Sequence, residues 1–242
     1  MSPPDGDVDK GIGRPQASRR RSFRLLAGLV AVVIAAQLLN LGLQWLQPPA
    51  PPQMLSDPSV LADRRAPTLG ATHGDVTVYL FSDYACPSCR AMYPDLLELV
   101  ASDRRVRIVF RDWPVLSPRS IRAARLAIAS AAQGRHAAFD EALMRHGGSL
   151  DEATLKSAST RAGVDWHRLL SDYASHHSEI DGLIADSGRY ARAFGFVGTP
   201  TLVIGPYLVA GRQSRERLHE LVDQARTDQP GAVAKRAFKQ PA

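Results

Sequence analysis

Apolar positions along this chain change period several times, and each change predicts a different element. Residues 25–46 form one apolar run, with no charged residue between Arg24 and Asp57. A helix of about 20 apolar residues crosses the hydrocarbon core of a bilayer, so this run predicts a transmembrane helix. Residues 47–65 hold Pro48, Pro49, Pro51, Pro52 and Pro58, a composition that predicts a semi-rigid extended linker. Val76-Thr77-Val78-Tyr79-Leu80-Phe81 and Val106-Arg107-Ile108-Val109-Phe110 are rich in β-branched and aromatic residues and predict two buried strands. Between them, Leu96, Leu97 and Val100 fall at helical spacing on a segment opened by Pro87, with Pro94 expected to kink it. Strand, helix, strand predicts a βαβ unit of an α/β fold.

Residues 117–194 then read as helical throughout. Ile121, Ala124, Ala127, Ile128 and Ala131 make an apolar face that Gly134 ends. Phe139 and Leu143 mark a short helix, and Ser149-Leu150-Asp151-Glu152 fits a capping box ahead of Leu155, Ala158 and Ala162. Trp166 to Tyr173 and Ile180 to Phe194 continue at the same spacing, the second set as a separate, longer helix. These stripes predict core rather than a cofactor box. Thr201-Leu202-Val203-Ile204, Gly205-Pro206 and Tyr207-Leu208-Val209-Ala210 predict a β-hairpin, and residues 214–225 a closing amphipathic helix. The expected organisation is a disordered basic tail (1–24), an anchor (25–46), a Pro-rich linker (47–65), one domain (66–226) and a basic tail (227–242).

Charge places this layout in a compartment. The chain carries 30 Lys and Arg against 24 Asp and Glu, a net charge of +6. The excess sits in the two tails, which leaves the central domain near neutral and gives nucleic-acid binding nothing to rest on. Arginines before the apolar run predict a cytoplasmic N-terminus. The expected location is the bacterial inner membrane, a single pass through residues 25–46, with the domain in the periplasm. No small-x-small cleavage site follows the run, so an uncleaved anchor is expected.

The chemistry is concentrated in Cys86-Pro87-Ser88-Cys89, which holds both cysteines of the chain. Residues three apart share a helix face, and Pro87 at the first helical position puts Cys86 at the N-cap. The free N–H groups and the positive helix end favour a nucleophilic thiolate there. Cys89, one turn further in, suits the resolving role. A thiol–disulfide centre of this kind needs no dissolved cofactor, since the cysteine pair itself holds the electrons. Two thiolates can also hold Cu(I), but zinc wants four ligands and no histidine lies near the pair, so no metal is expected. Periplasmic copper binding and non-catalytic peptide binding are the alternatives.

Phe81-Ser82-Asp83-Tyr84-Ala85-Cys86-Pro87-Ser88-Cys89, Pro94, Arg111-Asp112-Trp113-Pro114 with the alanine-rich residues 123–134, and Gly198-Thr199-Pro200-Thr201 occur in that order. Together they resemble the DsbA-like thiol–disulfide oxidoreductases over residues 66–226. That resemblance implies a thioredoxin fold with a helical insertion at about residues 117–194. It implies a cis Thr199–Pro200 bond in a loop facing the cysteines, with the Thr199 backbone pairing to substrate peptides. It also implies reduced or misoxidised exported proteins as partners and a membrane redox partner that resets the pair. Two departures stand out. Relatives often carry a buried acid six positions before the first cysteine, where this chain has Leu80, leaving Asp83 as a candidate proton relay or a cap for the turn. Strongly oxidising relatives have His where this chain has Ser88, which implies a less oxidising pair.

Overall fold

A computed structural model gives the structure of residues 30, 32–37, 39 and 53–228. The chain divides into two units, residues 1–51 and 52–242. Of the first unit, residues 30, 32–37 and 39 are helical and exposed. The rest of the expected anchor, the first tail, the linker up to residue 52 and the second tail beyond residue 228 lie outside the described residues. Among the described residues no helix is long and apolar enough to cross a membrane.

The second unit is built on a six-stranded sheet. Its strands are β1 (Gln53–Met54), β2 (Thr68–Gly70), β3 (Val76–Ser82), β4 (Val106–Asp112), β5 (Thr201–Ile204) and β6 (Tyr207–Ala210). The order across the sheet is β1-β6-β5-β3-β4-β2. Only β3 and β4 run parallel, joined through α1 (Pro87–Ser102), and this is the expected βαβ unit. β5 pairs antiparallel with both β3 and β6. Gly205 opens the β5–β6 turn at φ +54°, a conformation glycine adopts freely, and the Cβ of any other residue would lie 2.8 Å from Ala225 Cβ. Helix α6 (Arg215–Asp228) closes the unit by packing on α1, β3 and β5. This is a thioredoxin-like α/β fold.

Between β4 and β5 lie α2 (Pro118–Ala129), α3 (His136–Met144), α4 (Glu152–Ala162) and α5 (Trp166–Ala193). They form the helical insertion. Gly134 ends the turn after α2 at φ +66°, as its position predicts. One detail differs from the sequence reading. The capping box sits at Ser117, where Ser117 and Ser120 bond reciprocally, while α4 is capped by Asp151 alone and Ser149 Oγ donates to that Asp. As the sequence predicts, the stretch Trp166–Ala193 holds two helical segments, which meet at a kink where His176 leaves helical geometry (φ −119°).

The expected linker also ends earlier than residue 65. β1 pairs with β6, Leu55 N–H donates to Pro206, and Leu61 is fully buried, so residues 53–65 belong to the folded unit. Two-residue β1 and three-residue β2 are too short to show any period in the sequence. Pro94 lies inside α1, which runs on through it to Ser102.

Candidate active site

The turn from β3 into α1 is organised by Asp83, which is fully buried. One carboxylate oxygen accepts from Ala85 N–H at 2.7 Å, and the other accepts from Val115 and Leu116 N–H, both at 2.8 Å. Its backbone carbonyl accepts from Cys86 N–H at 3.0 Å. Asp83 therefore ties the catalytic turn to the loop after β4. Three backbone donors occupy its oxygens, which favours the capping role over the relay role.

Cys86 is the N-cap of α1 and Pro87 its first residue. The Cys86 sulfur accepts from Cys89 N–H at 3.4 Å. Pro87 and Ser88 are exposed on the rim, whereas Cys86 and Cys89 are both buried as free thiols. Burial pushes the Cys89 thiol up to about 12, with the Asp83 backbone opposing and Cys86 adding to the rise. Cys89 is thus held as a thiol, which fits the resolving position better than the attacking one.

The Gly198–Thr201 loop closes over this turn from the other end of the chain. The Thr199–Pro200 bond is cis. Cys86 Sγ donates to the Thr199 carbonyl at 3.2 Å, bringing together residues 113 positions apart. Thr199 is half-buried and Pro200 buried. Val197 beside them is 91% exposed, and Val115 and Leu116 are exposed as well, giving the opening an apolar rim.

A second layer lies behind the turn. Tyr84, fully buried, donates its hydroxyl to Asp140 of α3 at 2.7 Å. Arg90 of α1 donates to the Tyr84 carbonyl at 2.7 Å and reaches the Gly148 carbonyl of the insertion. Burial raises Asp140 to about 6, opposed by the Tyr93 and Tyr84 hydroxyls. Burial also raises Asp112 well above the carboxylate range, reinforced by the charges of Asp140 and Asp83 and opposed by Arg111. His136, its ring tilted by 55° against Phe110, is pushed down to about 3 by burial alone. Sequence reading assigned no role to Tyr84, Asp112, His136 or Asp140. Of these, Tyr84 and Asp112 lie within the segments that carry the family resemblance, which gave neither a role. Among the described residues no group of three or more His, Cys, Asp and Glu side chains is placed to hold a metal ion.

The family model for thioredoxin matches residues 63–224. Among solved structures, a thioredoxin-like oxidoreductase from Silicibacter pomeroyi is 38% identical, with a TM-score of 0.67 over 72% of this chain and 99% of that one. The thiol–disulfide exchange protein α-DsbA2 from Wolbachia pipientis is 26% identical, with a TM-score of 0.66 over 69% and 90% of the two chains. A periplasmic thioredoxin-like protein from Salmonella enterica is 25% identical, with a TM-score of 0.63 over 70% and 95%. A curated relative, the Na(+)/H(+) antiporter NhaA 3 of Salinispora tropica, is 30% identical over 146 residues, or 57% of this chain. The chain spans only 22% of that relative's length.

Proposed function

This chain belongs to the thioredoxin family, and from that premise we propose that it is an exported, membrane-tethered protein thiol–disulfide oxidoreductase of the DsbA-like kind. One observation carries the reading. The Cys86 sulfur caps α1 one turn from Cys89 and faces the Thr199 carbonyl of the cis-proline loop. In the oxidising direction a substrate thiolate attacks Cys86 Sγ of the Cys86–Cys89 disulfide, and Cys89 leaves. A second substrate thiol then releases Cys86, and the substrate departs with its own disulfide. In the reducing direction Cys86 attacks and Cys89 resolves. The Thr199 backbone offers a short strand edge to the substrate peptide, which suits many sequences because backbone is common to all. The electrons stay on the cysteine pair, so no cofactor or metal takes part.

The arginines before residues 25–46 and the apolar run itself support a single-pass anchor with the catalytic domain in the periplasm. The periplasmic Salmonella neighbour supports the same compartment. Substrates are then reduced or misoxidised exported proteins, and a membrane redox partner resets the pair. Antiporter activity is not carried over, because the matching segment is a small part of those relatives.

The test is Cys89→Ser in the full chain, expressed in a bacterium with an oxidising periplasm. It should accumulate thiol-sensitive conjugates with exported proteins that vanish in Cys86→Ser/Cys89→Ser. A Cys89→Ser variant that forms no such conjugates would sink the reading.

A further inference from the structure

The segment that leads into the folded unit leaves a hollow behind it. Leu55 N–H donates to the Pro206 carbonyl at 2.7 Å, which ties residues 53–55 to the β5–β6 turn. Between this segment, the start of β3 and the end of α6 lies a cavity of about 550 Å³, a size that suits a small molecule. Met54, Leu55, Pro58 and Pro206 give it apolar walls. Thr77 and Tyr79 of β3 are two positions apart, so they leave the same face of the sheet, and both line the cavity. The catalytic turn follows Ser82 at the other end of this strand. Tyr79 is only 7% exposed, yet its hydroxyl makes no hydrogen bond among the described residues. A tyrosine buried to that degree ordinarily finds a partner for its hydroxyl.

The charge at the rim of this cavity is negative. Asp228 at the end of α6 accepts from the Tyr207 hydroxyl, and Asp57, between the wall residues Ser56 and Pro58, accepts from Ser59. Neither makes an ion pair among the described residues, whereas Asp75 at the same rim is paired with Arg105 and Arg226. We propose that the hollow binds an amphipathic cation, a small amine with its ammonium group at Asp228 and its apolar body between Leu55, Pro58 and Pro206. An ammonium group carries only donors, and the Asp228 carboxylate and the Thr77 and Tyr79 hydroxyl oxygens are acceptors for them. An anion would meet Asp57 and Asp228 as like charges, and a neutral molecule would forgo their attraction. A purely apolar ligand would leave the Tyr79 hydroxyl unpaired in a drier site. No cysteine lines the hollow, so its ligand is independent of the thiol–disulfide reading.

Carbon-13 labelling of the tyrosines in the full-length protein gives the readout, with the Tyr79 signal identified by its absence in Tyr79→Phe. Phenethylamine at pH 7 should shift that signal saturably. Phenethyl alcohol, with the same body and no charge, should bind at least about fivefold more weakly, and phenylacetate more weakly still. Asp228→Asn should bring phenethylamine down to the affinity of the alcohol and leave the alcohol unchanged, whereas structural damage would weaken both alike. Because Asp228 also holds Tyr207, Ser56→Trp at an exposed wall position is the second variant. It fills the hollow and should abolish binding of all three probes. No saturable shift with phenethylamine, equal affinity for the three probes, or undiminished binding in Ser56→Trp would overturn the proposal. So would tighter phenethylamine binding once Lys235, Arg236 and Lys239 are replaced by alanine, since the occupant would then be the chain's own basic tail.

Discussion

Arg111 and Asp112 are consecutive residues of one strand, both buried, and the fold deals with their charges in opposite ways. Successive side chains of a strand leave opposite faces, so the two meet different surroundings. Arg111 sits under the ring of Tyr190 at 5.1 Å, with Asp63 and Asp186 as its nearest anionic influences. A guanidinium does not deprotonate in a protein, so its charge must be compensated where it lies. Asp112 meets two more carboxylates, Asp140 and Asp83, and answers by keeping its proton. Burial is the same in degree, but only the acid can escape its cost by changing protonation state. A buried acid that holds a proton can give it up, whereas a buried arginine can only be a fixed charge and a piece of packing.

The largest effect should come from breaking the Arg111 side. Arg111→Ala removes one of the largest fully buried side chains and should cost about 3–5 kcal/mol in urea unfolding. Arg111→Met keeps the length and drops the charge, and should cost only about 1 kcal/mol. Equal losses in the two variants would mean that the charge of Arg111 matters more than its packing.

The contrast between these two residues also marks what could be read from the sequence. The βαβ unit, the hairpin and the catalytic turn were legible because their signals are local. Runs of β-branched residues give β3 and β4, and Pro87 together with the C-x-x-C spacing gives the N-cap. The meeting of Cys86 with Thr199 was legible only through the family resemblance, since nothing local links residues 113 positions apart. The pairing of β1 with β6 was invisible, because two residues carry no period. The environments of Asp112, Asp140 and His136 depend on how the insertion folds back over the sheet. A polar residue in a sequence shows neither its burial nor its partners. Asp83 illustrates the same limit at closer range, since Val115 and Leu116, whose N–H groups donate to its carboxylate, lie more than thirty positions away.

The acid side can be probed through stability. Asp140 titrates near 6 in the folded state against an unfolded value near 3.9, so folding binds an extra proton between those values. Its contribution is fully present below about pH 4 and is lost as pH rises through about 6. Asp140→Asn should flatten that descending segment and be more stable than wild type at pH 7 by roughly 1–3 kcal/mol. His136 works in the other direction. Its folded value near 3 lies below the unfolded value near 6.5, so its contribution is lost as pH falls through that window. Removing the Asp140 segment should therefore expose the His136 acid limb more clearly in a pH series of thermal unfolding, with the raised Asp112 still lowering stability toward higher pH. A curve for Asp140→Asn that keeps the wild-type shape would count against Asp140 as the titrating group.

The smallest effect separates the two acids of the cluster from each other. Tyr84 donates to Asp140 and stabilises its charged form, while its own phenol is pushed up by burial and by the Asp112 and Asp140 charges. Tyr84→Phe keeps the ring and deletes the hydroxyl, leaving Asp140 short of one buried donor at a cost of about 1 kcal/mol. Losing a donor to the carboxylate also moves the Asp140 titration to higher pH, so the descending stability segment should reach further into the neutral range. A Tyr84→Phe protein whose descending segment stays at the wild-type pH would break the link between this hydroxyl and the Asp140 titration.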